Sequence, residues 1–302
     1  MEVFDCAIIG GGPAGLEAAL TLGRARRTIA LFDDGRNRNR VTQESHGFIT
    51  RDGIKPAEFK TIALEELRKY PSIHFYQKTV TRVAKPSNDA FFKLTTSIGE
   101  EHLAERIILA AGIQEEFAQI PEIRTYYGKS LFSCPYCDGW ELRDQPLLVI
   151  AEKEEAAHHM GKLLYNWSED LVVATNGREM SKSLKNDLER KGIIVKTEPI
   201  KSLDGTNGNL EKVMFASGVE IHRKGGFIAP SFYRPNLFAE HLDCDIHENG
   251  RIITDELGRA SQRNIYAAGE GVQLAPSSLM ISAAEGNKAA GAVNMDITDE
   301  RF

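Results

Sequence analysis

Two successive β-α-β patterns, a glycine-rich turn directly after the first apolar strand, and a closing stretch that resumes the first pattern predict an α/β protein of two units, the second inserted into the first. Each unit is expected to be three-layered, with a parallel sheet covered by helices on one face and by further strands on the other (ββα/α). A chain of 302 residues exceeds one small core and suits two domains. The pattern divides it at residues 1–115, 116–244 and 245–302, the first and last parts forming one domain. Two consecutive, uninterrupted domains are the alternative.

The first strand is read at 5–9. It breaks into Gly10-Gly11-Gly12-Pro13-Ala14-Gly15, and a helix over 16–22 follows. A second strand over 28–32 ends at Asp33. A helix over 57–70 carries Phe59, Ile62, Ala63 and Leu67 at helical spacing. Strands follow at 73–76, 79–83 and 91–95, the last two antiparallel. A buried strand over 106–112 ends in the small residues Ala110, Ala111 and Gly112. The pattern then restarts, with a strand at 147–150, a helix at 154–165, a strand at 170–174 and a helix at 180–191. The sequence closes with a strand into Ala267-Ala268-Gly269-Glu270 and an Ala/Gly-rich helix over 282–293.

Composition narrows the function classes. The formal net charge of −6 argues against nucleic acid or an anionic membrane as the main partner, although it suits a basic protein. No apolar stretch approaches the ~18 residues of a membrane span. No basic segment leads into a cleavable apolar one, so the expected compartment is the cytoplasm.

The 10–15 turn sits in the context that gives such a motif meaning, after a strand and opening a helix. Gly10 permits the tight turn, Gly12 lets a pyrophosphate approach the backbone, and Gly15 allows close helix–strand packing. Pro13 and Ala14 start the helix, whose free N–H groups and positive dipole end favour phosphates. Asp33 stands where a carboxylate accepts from ribose hydroxyls. A plain turn would not require this joint spacing.

Of four cysteines, Cys134 and Cys137 lie in Ser133-Cys134-Pro135-Tyr136-Cys137-Asp138-Gly139. Thiols at this spacing close a small disulfide ring at little loop entropy, and the thiolate is the reactive species. Asp138 is placed to exchange protons with a leaving thiolate. A zinc site would need two further ligands, and His158 and His159 sit on an expected helix, so no metal site is expected. An inert core pair is the remaining alternative. Cys6 and Cys244 are isolated and read as small buried apolar residues.

These stretches, in this order and spacing, resemble the low-molecular-weight thioredoxin reductases over nearly the whole chain. The segments Asp33-Asp34-Gly35-Arg36-Asn37-Arg38-Asn39 and Trp167-Ser168-Glu169-Asp170 resemble the branch that includes the gliotoxin- and holomycin-type dithiol oxidases. The resemblance implies two Rossmann-like domains, FAD as cofactor and a homodimer. It implies cofactor contacts from the 10–15 turn, Asp33, Ala111, Gly112 and Gly269. In such flavoproteins the last turn ends Gly-Asp, the carboxylate holding the ribitol; Glu270 keeps the charge with one more methylene. Cys137 is implied to face the flavin and Cys134 to attack an external disulfide through a mixed disulfide. A thioredoxin-like protein or a small dithiol is the implied partner.

Two departures set the chain apart. Where the family's second domain has Gly-x-Gly-x-x-Ala, this chain has Ala151-Glu152-Lys153-Glu154-Glu155-Ala156. Side chains replace the glycines, and Glu152, Glu154 and Glu155 oppose a pyrophosphate. After the next strand, Ala174-Thr175-Asn176-Gly177-Arg178-Glu179 lacks the basic cluster that grips a 2′-phosphate. NADPH use is therefore in doubt. A donor protein such as ferredoxin, oxygen as acceptor, and ordinary NADPH remain competing electron routes. A non-catalytic flavoprotein is the reading from another class.

Overall fold

The apolar run Val3–Ile9 forms β1, and its near-unbroken burial is that of a strand covered on both faces of a parallel sheet. The computed structural model describes residues 2–85, 91–272 and 278–302. After β1 come α1 (Pro13–Arg24), with its proline in the first turn, β2 (Ile29–Phe32), α2 (Pro56–Leu67), β3 (Ile73–Tyr76), β4 (Val80–Ala84), β5 (Phe92–Thr96) and β6 (Glu101–Leu109). The strand order is β3-β2-β1-β6-β5-β4. β1, β2, β3 and β6 run parallel, and β4 and β5 are antiparallel, as the sequence pattern predicts.

The chain crosses into a second sheet through β7 (Gln114–Glu116), α3 (Ile123–Tyr126), β8 (Leu131–Phe132) and the one-turn helix α4 (Pro135–Asp138). It continues with β9 (Leu147–Ile150), α5 (Glu154–Leu164), β10 (Leu171–Ala174), α6 (Lys182–Glu189) and β11 (Ile194–Lys196). A meander follows, β12 (Ile200–Thr206), β13 (Asn209–Phe215) and β14 (Glu220–His222), and β15 (Gly225–Ile228) returns to the sheet. The second sheet is all parallel in the order β11-β10-β9-β15-β8. One face packs on α5 and α6 through Ala157, Leu164 and Leu188, and the other on the meander through Leu203, Val213 and Phe215. The sequence pattern did not anticipate the meander, whose first hairpin turns at Asn207 and Gly208, both with positive φ as a two-residue Asn-Gly loop requires.

The return runs along β16 (Ser231–Tyr233), antiparallel to β7. Then come α7 (Phe238–His241), β17 (Ile265–Ala267), parallel to β6, and α8 (Leu279–Arg301). The nesting is thus topological: β17 completes the sheet that β1 begins. Phe238, Ala239, Leu242 and Cys244, grouped with the second unit by the pattern, pack into the first core beside Phe4, Val83 and Ile265. Their apolar side chains cover the face of the large sheet that α1 and α8 leave open.

Helix α8 is longer than the 282–293 stretch predicted from its small residues. Its polar C-terminal part is held by side-chain bonds: Arg27 to Asn294 at 2.8 Å, Arg259 to Asp296 at 2.7 and 2.9 Å, and buried Arg106 to Glu300 at 2.5 Å. The small residues serve a close crossing. A Cβ on Gly286 would stand 2.0 Å from the Ala14 carbonyl oxygen. Among the described residues no helix is long and apolar enough to cross a membrane.

Candidate active site

At the C-terminal ends of β1, β2 and β6, where open α/β sheets bind ligands, lies a cavity of about 780 Å³. It is lined by Gly10, Gly12, Pro13, Ala14, Asp33, Ala111, Gly112, Gly269 and Glu270, and it reaches Cys134, Cys137 and Asp138. Twelve of the thirteen residues singled out from the sequence therefore share one cavity. Gly15 lies beneath it. Its Cβ would stand 1.8 Å from the Gly10 carbonyl oxygen, so its role is the close helix–strand contact. Gly10 has φ +116°, and a Cβ there would meet Ala110. Gly12 alone in the turn faces open space, with nothing within 4 Å of a built Cβ. A turn that admits no side chain beneath it and leaves its open face to the cavity fits a dinucleotide pyrophosphate.

Asp33 is more engaged than the ribose expectation supposes. It is 5% exposed; its Oδ1 accepts from the Gly11 and Gly35 N–H groups, each at 3.3 Å, and its Oδ2 from Lys60. It staples the glycine turn to the end of β2 and brings a lysine to the same place.

Glu270 opens a buried polar chain. Arg38, on a 3-10 turn, donates from Nε to Glu270 Oε2 at 3.0 Å and from Nη2 to Oε1. Its Nη1 donates to Glu115 Oε1 on β7 at 3.2 Å. Tyr127 donates to the same Glu115 oxygen at 2.8 Å, and its hydroxyl lies 3.0 Å from Ser133 Oγ, next to Cys134. Burial alone would lower the Arg38 pKa, but the Glu270 and Glu115 carboxylates outweigh it and hold the guanidinium charged. Burial, reinforced by Glu115, pushes the Tyr127 phenol far above its ordinary value. The chain links the expected flavin carboxylate to the redox motif through the crossover strand. Glu285, also unforeseen, fixes the end of this turn by accepting from the Gly269 N–H at 2.7 Å.

Cys134 and Cys137 form a disulfide across α4, their Cα atoms 5.3 Å apart. Cys134 is the N-cap, and its carbonyl accepts from the Cys137 and Asp138 N–H groups at 3.0 and 3.2 Å. Gly139 is required because a Cβ would stand 2.4 Å from the Pro135 oxygen and 3.0 Å from the Trp167 indole. Trp167 also meets Tyr136 edge to face at 5.7 Å, which ties the Trp167 segment to the redox turn. Burial raises the Asp138 carboxyl to about 7; nearby His46 opposes the shift and Glu141 adds to it. A carboxyl poised there can both take and give a proton near neutrality. Cys6 and Cys244 are buried elsewhere and burial raises both thiols, Cys244 to about 11, which keeps them out of the chemistry.

The second unit presents the corresponding turn between β9 and α5, and its own side chains bridge it. Glu152 Oε1 accepts from Asn176 Nδ2 at 2.8 Å, while Asn176 Oδ1 accepts from the Ile200 N–H at 3.0 Å. Glu154 Oε2 accepts from the N–H of Ser181, the N-cap of α6, at 2.6 Å. Two glutamates thus tie the start of α5 to the segment after β10.

The model of the pyridine nucleotide-disulphide oxidoreductases matches residues 4–286. Among solved structures, the TrxB chain of Bacillus anthracis, provisionally a thioredoxin reductase, is 60% identical with a TM-score of 0.96, over 99% of this chain and all of that one. HlmI is 32% identical with a TM-score of 0.92, covering 99% and 93%. Thioredoxin reductase aclD of Aspergillus oryzae is 28% identical over 99% of this chain and 98% of its own length. An Arthroderma benhamiae protein, provisionally a thioredoxin reductase, is 34% identical over 59% of this chain, a match that spans 45% of its own length. With a nested α/β fold, a nucleotide-type cradle and a disulfide at its end, the chain belongs to the pyridine nucleotide-disulphide oxidoreductase family as a thioredoxin reductase-like flavin enzyme.

Proposed function

We propose that this enzyme exchanges electron pairs between its Cys134–Cys137 disulfide and a thioredoxin-like protein or small dithiol, and that no pyridine nucleotide is its working electron partner. The observation that carries the second half is the bridged turn of the second unit. Glu152 and Glu154 spend their carboxylates on Asn176 and Ser181, across the mouth where a dinucleotide would lie. To enter, a nucleotide must break both hydrogen bonds and bring its own negative charge beside them.

The first cradle fits FAD. The 10–15 turn and the N-terminus of α1 would receive the pyrophosphate, Asp33 and Lys60 would flank the ribose, and Glu270, steered by Arg38, would meet the ribitol. When bound, FAD supplies a two-electron carrier to the disulfide. The protein's own residues perform the exchange. A substrate thiolate attacks Cys134 Sγ, forming a mixed disulfide and expelling the Cys137 thiolate. The second substrate thiol attacks the mixed disulfide, closing the substrate disulfide and releasing Cys134. Asp138 accepts the proton of an attacking thiol and returns one to a leaving sulfur. In the reductive direction the same steps run backwards. Cys137 as the flavin-facing sulfur and a homodimeric state rest on the family resemblance. Sedimentation of the purified protein checks the dimer.

Anaerobic titration of the yellow protein with NADPH, NADH and reduced ferredoxin separately tests the reading. Dithionite is expected to bleach the flavin and reduce the disulfide, whereas stoichiometric NADPH is not. The family's description names a pyridine nucleotide, so rapid bleaching by NADPH would restore the alternative, an ordinary NADPH-dependent reductase. If nucleotides fail, bleaching by reduced ferredoxin points to a donor protein, and rapid oxygen-dependent turnover of a dithiol points to an oxidase.

A further inference from the structure

Thiol–disulfide exchange moves protons as well as electrons, and Asp138 is half-buried. Its proton needs a path to solvent. His46 lines the same cavity as Asp138 and both cysteines, although it comes from the first unit, on the loop before α2. The loop is built to hold it. The Ser45 N–H donates to the Ile54 carbonyl at 2.8 Å, and the Gly47 N–H donates to Asp52 Oδ1 at 2.8 Å. Phe48 packs edge to face on Phe59 of α2 at 5.3 Å.

The imidazole has an acidic partner at each nitrogen. Nδ1 lies 3.6 Å from Asp52, while Nε2 lies 3.6 Å from Glu141 and 3.7 Å from Glu44. Glu141 lies just after the redox motif, so the ring joins the two units near the disulfide. Exposure rises along this path: the His46 side chain is 16% exposed, Glu141 40%, Glu44 52% and Asp52 73%. A half-buried acid, a largely buried imidazole and three more exposed carboxylates form a route outward.

We propose that His46 is the proton relay of the redox centre, passing protons between Asp138 and solvent through Glu44, Asp52 and Glu141. This rests on the exchange chemistry proposed above. When a dithiol reduces the disulfide, the substrate loses two electrons and two protons. The electron pair breaks the Cys134–Cys137 bond. One proton returns to Cys134, and, with Cys137 left as thiolate, the other leaves by Asp138 and His46. Imidazole suits the step because one nitrogen accepts as the other releases. The groups acting on Asp138 are His46 and Glu141; those on His46 are Asp138, Glu44, Asp52 and Glu141. His46 acts through Asp138 and is a positioning residue for the proton.

The test uses the holoenzyme and dithiothreitol, anaerobically, from pH 5.5 to 9. Reduction of the disulfide is timed by quenching with an alkylating reagent and mass analysis of the Cys134 and Cys137 peptides, a readout independent of flavin colour. The wild type is expected to show a midpoint near the Asp138 value of about 7. His46→Ala should slow the step at least about tenfold, short of the ~10²-fold minimum for a direct proton donor, and move the midpoint upward. Added imidazole should recover the rate of His46→Ala. His46→Gln keeps the loop's polar contacts and should show the same loss, with flavin content equal to wild type. Wild-type rate and midpoint in both variants would overturn the relay, as would a loss in His46→Ala that His46→Gln repairs. A wild-type disulfide that dithiothreitol does not reduce at all would instead sink the proposed function, and the relay with it.

Discussion

Asp138 illustrates how one environment sets both chemistry and stability. Its carboxyl is raised by burial to about 7, so the folded protein binds this proton more tightly than the unfolded chain does. The resulting stabilisation is complete below the ordinary carboxylate value and is lost as pH rises through about 7. Asp138→Asn, which cannot ionise, should therefore be more stable than wild type at pH 8, by on the order of a few kcal/mol, with the difference vanishing near pH 4. Urea melts at the two pH values check this. The same variant should exchange thiols and disulfides about a hundredfold more slowly while keeping its flavin. Gly12 gives the complementary prediction. Its open side faces the cavity, so Gly12→Glu should fold normally, because nothing lies within 4 Å of the new Cβ. It should nevertheless purify without FAD, since both the side chain and its charge enter the pyrophosphate cradle. Absorbance of the purified variant near 450 nm is the measurement.

At the scale of elements, the cradle depends on two helices meeting without side chains between them. Gly286 of α8 sits against the Ala14 carbonyl of α1, and a valine there would force the helices apart. Gly286→Val should cost about 3 kcal/mol or more and weaken FAD binding, because the displaced end of α1 carries Pro13 and Ala14 of the cavity wall. A urea melt and a flavin dissociation assay on one preparation report both effects. The elements were legible where local rules act. The largely buried β1, the glycine turn and the cysteine turn each announce themselves within a few residues. The chain Glu270, Arg38, Glu115, Tyr127 and Ser133 does not: its members come from separate segments and share no period, and only the folded crossing at β7 assembles them. His46, Lys60 and Glu285 were missed for the same reason. The apolar criterion also truncated α8, whose last turns are held by ion pairs around one buried apolar residue, Ile297.

The two units share an architecture but differ in what they leave open, and the difference should show in the stability of the whole molecule. A ligand that binds only the folded state stabilises it in proportion to the logarithm of its concentration over its Kd. Protein stripped of flavin and given FAD at a hundred times its Kd should gain about 2.7 kcal/mol. The added stability should reach both units, because the cavity is walled by the glycine turn of the first and by Cys134, Cys137 and Asp138 of the second. On the reading proposed above, NADPH finds no such opening. The turn after β9 is tied by Glu152 to Asn176 and by Glu154 to Ser181, and the following segment offers Arg178 beside Glu179 in place of a basic cluster. A Kd above a millimolar leaves less than about 0.4 kcal/mol at 1 mM nucleotide, too little to move the melting temperature measurably. FAD should therefore raise the Tm of the stripped protein by several degrees while 1 mM NADPH or NADH leaves it unchanged, before and after flavin is restored. Because thermal shift needs no turnover, it separates failure to bind from failure to react. A rise with NADPH would show that the glutamates yield to the nucleotide, and the second unit would then be an ordinary nucleotide domain behind a closed gate.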